Sequence, residues 1–161
     1  MSGSTMIGVF DPATTSYCAV LPDLEVALAH ARETEPGRQA ILWGSSYSAA
    51  LVIQLGATRP DDVAGVLAFS PASGDPMDGC RPEPFAERLV DPLLVVRPLS
   101  ELQNERAADQ FARFADLGHT TYVADPGSHG SSTLVPERAG GDTEDTWRVV
   151  MDFLEQVRAG S

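Results

Sequence analysis

The sequence predicts a single α/β domain over residues 1–161, a three-layer sandwich around a mostly parallel sheet of about five strands. Three observations predict it. Five short apolar runs alternate with amphipathic stretches along the chain. The runs do not alternate polar and apolar residues, as suits central strands covered on both faces. One of them passes through a group of small residues straight into a helix-forming run.

The first run, Met6 to Phe10, is followed by Asp11 to Cys18, a connector that faces the carboxyl edge of the expected sheet. After Pro22-Asp23, residues Leu24, Ala27, Leu28 and Ala31 recur at helical spacing until Pro36-Gly37 ends the helix. The second strand is Gln39 to Trp43 and the third Ala64 to Phe69. Pro71 to Pro84 is rich in proline and in Asp-Gly and Ser-Gly pairs, which sustain neither helix nor strand, and is expected to loop over the carboxyl edge of the sheet as part of a substrate wall. Pro92 to Val96 is the fourth strand. A helix from Glu101 to Asp116 is expected to bury Ala107, Phe111, Phe114 and Ala115 and to stop at Gly118. Thr120 to Ala124 is the last strand. The final helix, from about Thr143 to Arg158, carries Trp147, Val150, Met151, Leu154 and Val157 on one face, with Asp142, Glu144 and Asp145 at its positive end.

Composition narrows the function classes. The 23 Asp and Glu against 11 Lys and Arg leave a net charge of −12, which argues against nucleic acid or an anionic membrane as partner. No apolar run approaches a membrane span, and the first residues lack the basic and apolar parts of a secretion signal, so a cytoplasmic protein is expected. Cys18 and Cys80 lie far apart and without metal-type spacing, and free thiols are expected at both.

The chemistry concentrates around Gly44-Ser45-Ser46-Tyr47-Ser48, between the run Ile41-Leu42-Trp43 and the helix-forming run Ala49 to Ile53. A strand, a sharp turn and a helix with a serine at the apex make a nucleophile elbow, where close backbone packing demands small residues two positions either side of the serine. Ser46 is the candidate nucleophile, and the Tyr47 amide at the helix's positive end is the candidate oxyanion donor. Ser48 stands where the last glycine of such a motif belongs. His129, in the loop Pro126 to Gly130, is the candidate base; His30 reads as a solvent-facing helical residue and His119 as the start of the last strand.

Four features in chain order resemble the α/β-hydrolase family, more narrowly its dienelactone-hydrolase-like or small esterase-like members. They are the elbow, the strand Gly65 to Pro71, the strand Pro92 to Val96, and Gly127-Ser128-His129-Gly130 after the last strand. The resemblance implies the order Ser, acid, His, with the acid on the loop after the Pro92 to Val96 strand. That position falls near Glu101, where the family more often has aspartate; Asp75 is the alternative acid, and Asp125 reads as a turn residue. It further implies that Met6 to Asp11 matches the family strand before the helix that precedes the elbow, so the fold is shortened at its N-terminus and the family's loop for the second oxyanion donor is absent. Another part of this chain, a second subunit, or nothing supplies that donor, and Asp11 to Cys18 is the candidate substitute loop beside its reading as a plain connector. An uncharged first strand at a new sheet edge leads us to expect a homodimer.

The expected activity is hydrolysis of small esters, lactones or thioesters through an acyl-enzyme, on a small-molecule acyl substrate and with no cofactor or metal. The alternatives are a non-catalytic relative that binds a ligand or partner, a cyclase or dehydratase using the same site, and, from a different class, a flavodoxin-like cofactor binder with residues 44–48 as a phosphate cradle.

Overall fold

The computed structural model describes residues 16–160. Four strands form one parallel sheet in sequential order: β1 (Ala40–Ser45), β2 (Val63–Phe69), β3 (Leu93–Pro98) and β4 (Thr120–Ala124). The sheet thus has four strands rather than about five, and the run Met6 to Phe10 lies outside the described residues. The helices are α1 (Leu21–Thr34), α2 (Tyr47–Thr58), the single turn α3 (Glu83–Ala86), α4 (Glu105–Asp116), the single turn α5 (Pro136–Ala139) and α6 (Glu144–Gly160).

Strand order and layering have one cause. Every crossover steps to the next strand in the same direction, and a right-handed crossover that always advances the same way puts its helices on one face. α1, α2, α3 and α4 accordingly share a core with Val66, Ala68, Leu93 and Val95, while α6 packs on Leu67, Phe69, Leu94 and Val96 from the opposite face. The alternation of adjacent strand residues between the two cores is the pleat itself. Burial on both faces explains why the central strands β2 and β3 read as nearly continuous apolar runs.

Two helices differ from expectation. The stretch expected as one helix from Glu101 is broken: Leu99–Gln103 is a 3-10 turn, and α4 starts afresh after Asn104, whose side-chain oxygen accepts from the Ala107 amide as an N-cap. Ala115 is exposed, and Gln110 is buried in its stead. In α6 the buried face is Thr146, Val150, Phe153 and Val157, and Trp147 and Met151 are exposed. Trp147 sits off that face because its indole N–H donates to the Leu134 carbonyl oxygen at 2.9 Å, tying the helix start to the turn before it.

The cysteines also depart from expectation. Cys18 and Cys80 form a disulfide, joining the 3-10 turn Tyr17–Val20 to the loop after β2. Both sulfurs belong to a small cluster with Leu51 and Met77, so the fold brings together two residues separated by 62 positions. In the chain-entropy picture, closing a loop of that size restricts the unfolded chain by roughly 4 kcal/mol. The expected free thiols are thus replaced by a bond of the kind that persists in oxidising compartments. Among the described residues no helix is long and apolar enough to cross a membrane.

β1 is an edge strand of the described sheet, with Ile41 and Trp43 36% and 43% exposed on the side of α6. The Trp43 ring still stacks on Phe69, with ring centroids 5.0 Å apart.

Candidate active site

Ser46 occupies the turn between β1 and α2, at the carboxyl end of the sheet, with φ 60° and ψ −123°. A non-glycine residue there is strained on the order of 1–3 kcal/mol and needs its surroundings to hold it. The Ser46 amide donates to the Phe69 carbonyl at 2.9 Å, and the Ser46 carbonyl accepts from the amides of Ala49 and Ala72, each at 3.1 Å. The turn is pinned from three sides.

Why the flanking residues are small is visible in the backbone. A Cβ on Gly44 would lie 2.5 Å from the Ser48 carbonyl oxygen and 2.6 Å from the Ala49 Cα, so any side chain there would push the helix off the strand. Ser48, which replaces the second glycine of the motif, closes the turn: its hydroxyl accepts from the Ser45 amide at 2.9 Å and donates to the Ser45 carbonyl at 2.7 Å. Tyr47 is the first residue of α2, so its amide has no acceptor within the helix. The Tyr47 ring stacks on Tyr17, centroids 4.8 Å apart. Of the segment from Asp11 to Cys18, only Ser16 to Cys18 lies within the described residues, and Tyr17 brings it to the elbow.

His129 lies in the loop after β4, and its Nδ1 is 2.6 Å from Glu101 Oε1. A carboxylate only accepts, so Nδ1 carries the proton and Nε2 is left as the basic nitrogen. Ser46 and His129 line one cavity of about 300 Å³, together with Ser70, Pro71, Ala72, Arg97, Glu101 and other residues of the same edge. Among the described residues no hydrogen bond joins the Ser46 hydroxyl to His129. Such a bond is often long in an unliganded site and tightens on binding.

Glu101 is held on its other side. Arg97 Nη1 donates to Glu101 Oε2 at 2.6 Å, and Arg97 Nη2 donates to the Pro71 carbonyl and to Gln110 Oε1, both at 2.6 Å. The Arg97 side chain is only 4% exposed. Burial pulls its pKa down from the ordinary guanidinium value, and Glu101 opposes that pull.

Asp75 is elsewhere. Its carboxylate pairs with Arg106 at 2.7 Å, approaches Arg81 at 3.8 Å and is 75% exposed, so the geometry puts it in a surface ion network rather than beside His129. His119 Nε2 lies 2.9 Å from the Ala86 carbonyl, which makes it a fastening between β4 and α3; His30 is exposed on α1.

Two serines that sequence reasoning passed over hold the histidine loop. Ser70 Oγ accepts from the Gly130 amide at 2.9 Å and Ser45 Oγ accepts from the Ser131 amide at 3.0 Å, so the turn after His129 is latched to the ends of β1 and β2. Gly130 has φ 65°, and a Cβ there would collide with Ser45 Oγ, which is why this position is glycine. Ser70→Ala is expected to leave the Gly130 amide unsatisfied and to destabilise the fold by about 1–3 kcal/mol, read from a denaturant midpoint. An unchanged midpoint would remove the latch. Arg97 was legible in principle, as the one charge at the end of an otherwise apolar strand.

Comparison with known proteins fits this geometry. Among solved structures the chain is similar to Est1E from Butyrivibrio proteoclasticus, at TM-score 0.65 and 14% identity over 90% of this chain and 72% of that one. It is similar to the acylaminoacyl peptidase of Pyrococcus horikoshii, at TM-score 0.61 and 17% identity over 84% of this chain. The chain has the α/β-hydrolase fold. A hormone-sensitive lipase from a metagenome library shares this α/β-hydrolase architecture at TM-score 0.51 and 14% identity, over 71% of this chain and 53% of that one. The chain spans 27% of the peptidase's length. The likeness is one of fold, at the level of the α/β-hydrolases. No protein-family model matches the chain, and no curated protein matches it significantly.

Proposed function

We propose that this α/β-hydrolase-fold chain is a serine hydrolase of small esters, lactones or thioesters that works through an acyl-enzyme. The observation that carries the reading is the Glu101–His129 pair opening onto the same cavity as a serine at a strained elbow. In this scheme Ser46 Oγ attacks the acyl carbonyl as its proton passes to His129 Nε2. Glu101 holds the His129 tautomer and stabilises the imidazolium. The Tyr47 amide donates to the oxyanion. His129 then protonates the leaving alcohol or thiol, and a water activated by the same nitrogen releases the acid and restores Ser46. A cavity of about 300 Å³ sits at the small end of ligand sites, which favours a short acyl group.

The test is covalent labelling. A fluorophosphonate probe is expected to modify Ser46 of the folded protein, located by peptide mapping, and to leave Ser46→Ala unmodified. Absence of labelling on folded wild type would overturn the hydrolase reading in favour of the non-catalytic one, in which the cavity only binds a ligand. A labelled protein that turns over no ester, lactone or thioester would point instead to a cyclase or dehydratase on the same triad.

A further inference from the structure

Glutamate is an awkward residue for the acid position. Compared with aspartate it has one more rotatable bond, and here it sits on a 3-10 turn of five residues rather than on a strand end. An unrestrained Glu101 would face His129 in only part of its conformations. The fold answers this with Arg97, at the penultimate position of β3 and four residues before Glu101. One arm of its guanidinium takes Glu101 Oε2, leaving Oε1 to His129. The other arm takes the Pro71 carbonyl and Gln110 Oε1.

The grip reaches the nucleophile as well. Gln110 Nε2 donates to the Ala72 carbonyl at 3.3 Å and to Glu83 Oε1 at 3.0 Å, while the Ala72 amide holds the Ser46 carbonyl at 3.1 Å. Buried Arg97 therefore ties the acid and the loop that pins the elbow to one rigid planar group. The charged and titratable groups around it, among the described residues, are Glu101 on the 3-10 turn, Glu83 on α3 through Gln110, and His129 beyond Glu101.

We propose that Arg97 is a positioning residue that makes Glu101 competent as the triad acid, by fixing one carboxylate oxygen so that the other is committed to His129. The inference rests on the serine-hydrolase reading. A lysine would not replace it, because an ammonium is compact and lacks the fork that spans Glu101, Pro71 and Gln110 together.

The test is a kinetic double-mutant cycle on turnover of a small activated ester by the full chain, with Arg97→Met, Arg97→Lys, Glu101→Gln and the two doubles. Arg97→Met is expected to lower kcat by about tenfold to a hundredfold, the usual effect of losing a partner that orients a site residue, with KM changed much less. In the Glu101→Gln background the same change is expected to cost nothing further and to recover some activity, since the amide is then free to turn its oxygen toward His129. Arg97→Lys keeps the charge and should give a smaller loss that also disappears in that background, and it carries the test should the methionine variant fail to fold. Equal factors in both backgrounds, for either substitution, would overturn the proposal: a residue that merely supports the fold acts regardless of what occupies position 101. Fluorophosphonate labelling of the wild type separates the two levels. If Ser46 labels and the cycle is additive, Arg97 is structural and the hydrolase reading stands; if Ser46 does not label, both fall.

Discussion

Ser46→Ala is expected to lower turnover of a small activated ester by about 10⁴- to 10⁶-fold, with His129→Ala nearly as damaging and the double variant no worse than either alone. Non-additivity is the informative part. Nucleophile and base work as one unit: without Nε2 to take its proton the Ser46 hydroxyl is a poor nucleophile, and without Ser46 there is no acyl-enzyme for His129 to serve. The residual activity would come from the Tyr47 amide and from binding in the cavity. Stopped-flow or plate assays on purified variants, beside melting curves to show that each folds, measure this directly. Activity that survives both substitutions would place the chemistry away from the β1–α2 elbow.

Glu101→Gln is expected to cost up to about 10⁴-fold in kcat, more than loss of a single charge would suggest, because Arg97 dictates how the amide sits. A guanidinium has only donors, so Arg97 Nη1 holds the amide oxygen and turns the NH₂ toward His129. Nδ1 must then accept, which moves the ring proton to Nε2 and leaves Ser46 facing a donor instead of a base. Steady-state kinetics with KM nearly unchanged is the expected signature. Parity with wild type would exclude Glu101 from the triad, and Asp75 could not take its place without leaving Arg106.

Much of the architecture was legible because burial writes itself into composition. Central strands covered on both faces are built mainly of apolar residues, and β2 and β3 match their apolar runs to within a residue or two at either end. The elbow was legible for a different reason: Gly44 and the small residues around Ser46 answer a local steric demand, which a short stretch of sequence records in full. Glu101 and Asp75 stood as alternatives because a carboxylate's partner depends on which loops converge, and both residues follow strands that end at the same sheet edge.

The misses share a cause. Cys18 and Cys80 gave no spacing signal, since a disulfide across 62 residues is decided by where the 3-10 turn docks against the loop after β2. The break at Asn104 turned on one capping side chain, against a pattern that reads equally well as a continuous helix. The buried face of α6 differed from the expected one because Trp147 found an acceptor at Leu134 and gave up its place to Phe153.

By itself, then, the sequence determined the α/β alternation, the strand positions and the serine at a strand-to-helix turn, all of which follow from interactions within a few residues or from the bulk need to bury apolar surface. Only the tertiary structure decided that His129 meets Glu101, that Arg97 grips the far oxygen of that carboxylate, and that Ser45 and Ser70 latch the histidine loop. Each of those is a directional contact of about 3 Å between segments 28 to 86 residues apart or set by how a strand end meets a neighbouring turn. A hydrogen bond of that kind leaves no periodicity behind it; it exists only once the sheet has brought its carboxyl ends to one edge.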